Sequence, residues 1–388
     1  MLPFNSIGFF VIIFLIVLSA VVGKLFLKKQ YYKHLLFVFN GFFLCFIYAS
    51  PYHFLLLIVF AYITTILLLD VLKLQNKIWG VLLLILPLLL VKLDIRFEEP
   101  PHKLNAIISF VGLSYASFRM VSYYMDKMQG DKMANFISYF NYLSFIPTLL
   151  MGPIDRYSTF NANQENGFEN ISTNNFIIGW NAFVKGVVFK YIIAEVISRY
   201  WLNYYPSLTH STELLHMTNT MYAYYAYLIF DFSGYSWMAL GVGKMMGMNV
   251  PVNFRNPFIA INPQDYWKRF HITLGAWLKD YFFTPMYLYL SRKKKWKLGV
   301  LARQNTALMS TFLLMGCWNG LNLRFIISGF LFGVYSVIHN TYVFLCREKG
   351  RDILFGNLPP KVVWILSIIM MFHAAAFSIY IFSGYFPY

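Results

Sequence analysis

One histidine of this sequence, His271, lies in a polar segment between long apolar runs and is suited to acid–base chemistry. The segment 251–340 mixes charged and amide side chains with Trp and Tyr. Imidazole is the side chain whose ordinary pKa lies near neutrality, and a histidine at membrane depth is a functional hypothesis by default. Irregular backbone at that depth is tolerated only where it is buried in protein or lines a water-filled cavity. We therefore predict a pocket or tunnel with His271 in its wall.

A helix start precedes this histidine. Asn262 is a capping residue, Pro263 suits the first helical position, and Asp265 follows three residues after the cap. From Pro263 the chain can continue as a helix through Asp280.

The predicted face carries Trp267, His271 and Gly275, because residues four apart lie on one side of a helix. Asp280 would lie nearly opposite His271. His271 would thus look into a space lined by aromatic and small residues.

Charged and aromatic neighbours are candidates for the tunnel wall, and each has a second interpretation. Charges at membrane depth need pairing or water, so Asp280 either pairs with Lys279 or Arg269, which we favour, or orients His271. Trp267, Trp277 and Trp318 either line the tunnel or only pack, since one fifth of the chain is aromatic.

The elements that position these residues are membrane helices. Of the 388 residues, 59% are hydrophobic and 12% are charged, against about 25% charged in a soluble domain. Apolar runs of roughly 20 residues, the length that crosses about 30 Å of hydrocarbon, recur along the chain. We count about ten or eleven such runs.

Basic residues mark the predicted cytoplasmic loops. Lys24, Lys28 and Lys29 follow the first run, Ile7 to Val22, and the stretch CREKGR, Cys346 to Arg351, marks the last inner loop. The net charge of +16 therefore reflects membrane topology, and no basic face for nucleic acid is evident.

We predict one integral membrane domain over 1–388, with scaffold helices in 1–105, a core in 106–345 and a C-terminal helix in 346–388. The polar insert 152–175 is either a loop or an interfacial segment. The glycines of GVGKMMG, Gly241 to Gly247, favour close helix packing over phosphate binding. The three cysteines have no metal-like spacing and are most simply buried thiols.

Three blocks in order carry a family resemblance: FDFSGYSWMALG at 230–241, NFRNPF at 253–258 and DYWKRFHITLGAWLKDYFF at 265–283. With them the sequence resembles the bacterial membrane-bound O-acyltransferases. GPIDRY at 152–157 and the stretch from Phe110 are similar to the branch that adds D-alanine to teichoic acids; the alginate O-acetyltransferases form the other branch.

The resemblance implies an all-α fold, a ring of transmembrane helices with short or re-entrant helices around a central tunnel. It also implies a bacterial cytoplasmic membrane location, with the acyl group arriving from the cytoplasm and the hydroxyl acceptor from outside. The donor would be a D-alanyl thioester on the phosphopantetheine of an acyl carrier protein. The acceptor would be an envelope polymer such as lipoteichoic acid, and no bound cofactor or metal is implied.

The family's carrier protein docks beside the segment matching 282–289. The candidate docking residues here are Phe283, Met286, Tyr287, Leu288, Lys293 and Lys294. The basic run SRKKKWK, 291–297, either steers an acidic carrier or is an ordinary cluster at the inner leaflet. Threonine, proline and tyrosine replace a more aliphatic surface here, so docking is expected to differ.

The chain departs from the family at its signature Trp-His-Gly step. Asn319 stands where the histidine belongs, and Phe332 replaces a second histidine thirteen residues on. An amide has no useful basicity but can donate to an oxyanion. Three interpretations stay open: His271 is the base with Asn319 as orienter or oxyanion donor, the protein is an impaired relative, or the asparagine is an engineered replacement.

Transfer of an acyl group to a hydroxyl is thus the leading functional hypothesis. The alternatives are a binding or assembly subunit that keeps the fold without catalysis, and an O-acetyltransferase of an exopolysaccharide.

Overall fold

The computed structural model describes residues 7–48, 51–73, 77–96, 112–130, 133–204, 213–292, 298–350 and 358–386, and these contain no strand. The helices are, in chain order, α1 Ile7–Phe26, α2 Tyr32–Ile47, α3 Pro51–Ile66, α4 Lys77–Arg96, α5 Leu113–Lys127, α6 Phe136–Ser144, α7 Tyr157–Asn170, α8 Thr173–Val187, α9 Glu213–Met245, α10 Pro263–Trp267, α11 Ile272–Leu278, α12 Thr284–Arg292, α13 Val300–Asn319, α14 Leu323–Glu348 and α15 Pro360–Ser383.

Several of these helices are long and apolar enough to cross a bilayer. In the described parts of the chain four stretches qualify: Pro51–Val71, Thr173–Asn203, Leu323–Glu348 and Pro360–Ser383. Shorter apolar helices cover Phe10–Phe26 and Ile78–Leu93. The predicted all-α, multi-pass membrane fold is confirmed, whereas the count of ten or eleven spans stays a prediction.

The chain divides into two compact units. The first comprises Met1–Val187 with Gly234–Val252, and the second comprises Val188–Ser233 with Asn253–Tyr388. The long helix α9 contributes residues to both. The single domain over 1–388 therefore stays a prediction.

In the first unit, buried amide side chains link three helices. Asn40 of α2 donates to Asn141 of α6 at 3.1 Å, and Asn141 donates to Gln164 of α7 at 2.8 Å. Gln164 donates in turn to Ser138. Because a buried amide without a partner is costly, this chain of bonds fixes the register of the helices.

The polar insert predicted as a loop or interfacial segment contains a helix. Residues 152–156 are irregular, and α7 then covers Tyr157–Asn170. Gln164 is the residue that ties α7 to the amide chain.

Close helix packing at Gly241 is confirmed. A Cβ on Gly241 would lie 2.5 Å from the carbonyl oxygen of Gly179 on α8, and a Cβ on Gly179 would lie 2.7 Å from that of Gly241. Any larger side chain would separate α8 from α9.

The three cysteines are free thiols, but the prediction that they are buried is wrong for Cys45. Cys346 is buried, Cys317 is half-buried and Cys45 is exposed. Cys45 lies on the apolar helix α2. The outer surface of such a helix can face lipid, so its apolar side chains need not be buried by other parts of the protein.

In the second unit, α13 and α14 form a closely packed antiparallel pair, and α15 packs against α14. The short helix α10 also packs on α14. This arrangement brings the polar segment around His271 against the helix that ends at Asn319.

Candidate functional site

The helix that carries the site begins as predicted. The side chain of Asn262 accepts a hydrogen bond from the backbone N–H of Asp265 at 2.7 Å, and Pro263 is the first residue of α10. The predicted cap is confirmed.

The prediction of one continuous helix from Pro263 to Asp280 is wrong. α10 ends at Trp267, and His271 has a left-handed backbone with φ +47° before α11 begins at Ile272. Trp267, His271 and Gly275 therefore do not share the face of one helix.

The segment after Val252 explains the break, because it takes backbone groups that a continuous helix would use. The Ile272 N–H donates to the carbonyl of Asn253 at 3.0 Å, and the Arg255 N–H donates to the carbonyl of Arg269 at 2.9 Å. Pairing with a distant segment thus overrides the local helical preference.

Asn253 also determines the protonation of His271. The N–H and the hydroxyl of Thr273 both donate to Asn253 Oδ1, at 3.0 and 2.9 Å, which identifies that atom as the oxygen. His271 Nδ1 lies 3.4 Å from the same oxygen, so we assign the tautomer with the proton on Nδ1, since a carbonyl oxygen only accepts. Nε2 is then the basic nitrogen.

The imidazole is nearly enclosed. His271 is 5% exposed, and its ring packs edge-on against Phe232 at 4.8 Å. The ring is therefore largely shielded from water.

A cavity of about 110 Å³ lies beside this ring, against the about 10–15 Å³ that one water needs. Four residues predicted for the site line it together: Trp267, His271, Trp318 and Asn319. The rest of the wall is mostly apolar and includes Phe232, Phe325, Phe332 and Phe382.

Two glycines of the wall bring α13 and α14 together. A Cβ on Gly329 would lie 2.5 Å from the carbonyl oxygen of Phe312 and 3.0 Å from Cα of Gly316. Both glycines line the cavity, so the helix that ends at Asn319 runs with its backbone close to α14.

Asn319, which we predicted to replace the family histidine, donates to the carbonyl of Met315 at 2.9 Å. This bond reaches one turn back along α13 and holds the amide at the helix end. The side chain is half-buried and forms part of the cavity wall.

Phe332, which we predicted to replace a second histidine, belongs to an aromatic cluster. Its ring lies 5.6 Å from that of Tyr266, 5.2 Å from Trp267 and 6.4 Å from Phe312. An apolar ring thus occupies this position, where a histidine would need a polar partner.

The other predicted tunnel residues lie outside the cavity wall. Arg269 forms an ion pair with Asp265 at 2.9 Å, and Asp280 is exposed within a π-helical turn. Trp277 is buried with its ring 5.2 Å from Tyr281.

The predicted docking residues lie on or beside α12. Phe283 and Tyr287 have stacked rings 6.4 Å apart, Met286 is half-buried and Leu288 is exposed. Lys293 and Lys294 lie outside the described residues.

The wall offers one base and possible donors. The buried indole N–H of Trp267 has no hydrogen-bond acceptor among the residues of the described ranges. A base on one side and N–H groups on the other are what acyl transfer to a hydroxyl requires. In the same ranges no three His, Cys, Asp or Glu side chains are grouped so as to hold a metal.

Sequence reasoning missed the role of Asn253. The residue is 2% exposed and stands at the first position of NFRNPF, eighteen residues before the histidine. Its place in one of the three ordered blocks was the available indication.

Comparisons with known proteins agree with this architecture. Residues 110–383 match the family model of the membrane-bound O-acyltransferase family. The teichoic acid D-alanyltransferase of Bacillus subtilis (strain 168) is 34% identical over 306 residues, which is 77% of this chain and 75% of that protein. The teichoic acid D-alanyltransferase of Streptococcus thermophilus (strain ATCC BAA-250 / LMG 18311) is 28% identical over 78% of this chain and 74% of its own length.

A protein of Pseudomonas aeruginosa named "Probable alginate O-acetylase" is 30% identical over 71% of this chain and 49% of its own length. The matched region contains both α9 and the helices of the cavity wall. This chain belongs to the membrane-bound O-acyltransferase family.

Proposed function

We propose that the chain transfers an acyl group, D-alanyl from a carrier-protein thioester, to a hydroxyl of an envelope polymer such as lipoteichoic acid. The observation that carries this proposal is the shared cavity of His271 and Asn319. The names of two relatives, both D-alanyltransferases of teichoic acid, supply the substrate class.

In the proposed reaction His271 Nε2 accepts the proton of the acceptor hydroxyl as its oxygen attacks the thioester carbonyl. The carbon–sulfur bond breaks, and the proton passes from Nε2 to the thiolate that leaves. The N–H groups of Trp267 and Asn319 stabilise the oxyanion, a role worth about two to three decades of rate for each donor.

The base in this proposal is weaker than in enzymes whose histidine is oriented by a carboxylate. Asn253 supplies an amide oxygen, which fixes the tautomer but adds no negative charge to stabilise imidazolium. We therefore expect slow turnover.

The donor is proposed to arrive at the cytoplasmic side, where the exposed surface of Leu288 and its neighbours would receive an acyl carrier protein. The bacterial cytoplasmic membrane is the proposed location, since a polymer outside and a carrier inside must meet there.

A binding or assembly subunit is the second candidate. The observation that favours it is the amide of Asn319 in the cavity wall, because an amide cannot take the proton of a hydroxyl.

Two substitutions separate these functions. We expect His271→Asn to lower the rate of ester formation on envelope polymer by roughly a hundredfold or more, because the base is removed. The matched control is His339→Asn on α14, a half-buried histidine that does not line the cavity.

The assay measures ester-linked D-alanine released by mild alkali from cells that depend on the plasmid-borne gene. An active parent whose His271→Asn variant keeps its activity would show that His271 is not the base. An inactive parent that becomes active through Asn319→His would assign the catalytic role to position 319 and make this chain an impaired relative.

A further inference from the structure

Arg324 occupies one edge of the cavity, next to residues of its wall. Its guanidinium carbon lies 4.7 Å from the ring centroid of Phe325, and Phe325 packs against Phe382 at 4.8 Å. Both phenylalanines line the cavity. The guanidinium also lies so close to Gly384 that no Cβ would fit there.

This arginine has no hydrogen bond or ion pair with any residue in the described parts of the chain, and its Nε is buried without an acceptor. The side chain is half-buried. Asp231, a carboxylate of the same unit, is paired with Lys190. A partly desolvated charge without an ionic partner is unfavourable. Binding of an anion next to Arg324 would therefore be favourable.

The position of Arg324 along α14 places it at the outer face. The basic stretch Cys346–Arg351 at the end of this helix marks the cytoplasmic side. Arg324 precedes Cys346 by six helical turns, roughly 33 Å at 1.5 Å per residue, which exceeds the hydrocarbon thickness. The arginine therefore stands at the opposite, outer end.

A guanidinium matches the paired oxygens of phosphate with two parallel hydrogen bonds. In a polyol phosphate the hydroxyl that accepts an ester neighbours a phosphodiester along the same short backbone. An arginine at the outer edge of the cavity would hold the phosphodiester while the hydroxyl reaches the base.

We propose that Arg324 binds a phosphodiester of a polyol phosphate acceptor at the outer opening of the cavity. The inference rests on the proposed function, since it names what the acceptor side of that site recognises. It adds a specificity residue that the three ordered sequence blocks do not contain.

The test measures binding and transfer separately on the full chain in nanodiscs. The probes are a short glycerol phosphate oligomer and a polyglycerol of equal length without phosphate. The variants are Arg324→Gln, Arg324→Lys and, as matched control, Arg347→Gln at the cytoplasmic end of the same helix.

We expect Arg324→Gln to raise the Kd and the KM for the phosphate oligomer roughly tenfold to hundredfold, with kcat little changed. Arg324→Lys should recover part of the loss, because it keeps the charge without the planar fork. Neither variant should alter interaction with the neutral polyglycerol, and Arg347→Gln should behave as the parent.

Equal binding of the phosphate oligomer by parent and Arg324→Gln would overturn the inference. So would a loss of affinity in Arg324→Gln that is as large for the neutral polyglycerol as for the phosphate oligomer. A parent that binds neither probe would overturn it too. A parent that binds the phosphate oligomer through Arg324 but transfers no acyl group would refute the proposed function and leave the anion site standing. A uronate oligomer competing as well as the phosphate oligomer would refute phosphodiester recognition.

Discussion

A void with some polar side chains in its wall lies in each compact unit, and the two voids differ in what those polar groups bond to. In the first unit Arg119, 1% exposed, donates to the carbonyls of Tyr142, Leu143 and Thr148 and to the Thr148 hydroxyl. The void beside it measures about 10 Å³, room for about one water. The cavity at His271 in the second unit measures about 110 Å³.

The difference separates polar groups that bond to the protein's own backbone from polar groups that line an open cavity. The two Nη groups of Arg119 donate to backbone carbonyls and to the Thr148 hydroxyl. His271 and Trp267, in contrast, line an open cavity, and the Trp267 N–H has no acceptor in the described parts of the chain. We therefore expect substitution of the buried polar residues to lower the stability in the first unit and the rate of acyl transfer in the second.

Replacing Arg119 should give the largest effect of this kind on stability. Arg119→Met keeps the length of the side chain but leaves three buried carbonyls without their donor, which should cost about 3 kcal/mol or more. We expect a fall in Tm of at least about 5 °C, measured by thermal unfolding of the purified protein in detergent.

The exposed Arg347→Met is the control and should leave Tm unchanged. A normal Tm with abolished acyl transfer in Arg119→Met would break the comparison, because it would place Arg119 in the chemistry.

Replacing Asn253 sharpens the comparison within the second unit. Asn253→Ala removes the acceptor of His271 and Thr273, and we expect kcat to fall roughly tenfold to hundredfold as the tautomer is no longer fixed. Steady-state transfer to an envelope polymer measures the effect.

Asn253→Asp distinguishes a positioning role from a merely structural one. A carboxylate beside the imidazole raises the pKa of His271, so the acidic limb of the pH–rate profile should move to higher pH. A profile that does not move in this variant would mean that Asn253 does not act through His271.

The smallest effect concerns Asp155, which lines the void beside Arg119. Burial raises the pKa of Asp155 to about 6, in spite of the Arg156 N–H and the nearby charge of Arg119. The folded state therefore holds a proton more tightly than the unfolded state, and stability should fall as the pH rises from about 4 to about 6. Above that range Asp155→Asn should be more stable than the parent, because its side chain has no charge to bury.

Tm measured at pH 4.5 and pH 7.5 tests this sign. The parent should lose stability at the higher pH, and the variant should not. A parent that becomes more stable with rising pH would show that Arg119 holds the carboxylate ionised.

Much of the fold followed from the sequence because membrane helices have a strong compositional pattern. The helix cap at Asn262 and the close approach of Gly241 were predicted from residue type and spacing, and both are local or simple steric effects. The multiple membrane helices followed from hydrophobicity, and the family resemblance implied the all-α fold.

The geometry of the site was predicted less accurately from the sequence. The break at His271 depends on hydrogen bonds to Asn253, a partner eighteen residues away, and no periodicity of residues 263–280 contains that information. His271 and Asn319 were chosen from a resemblance and a default rule, and their shared cavity depends on how α13 and α14 pack.

The left-handed backbone of His271 affects which substitutions evolution can reach at this position. Asparagine adopts that conformation readily, and its codons differ from those of histidine by a single nucleotide. Mutation to asparagine at 271 is thus easily reached and meets little resistance from the fold. Only selection on the proton transfer itself would keep the imidazole in place.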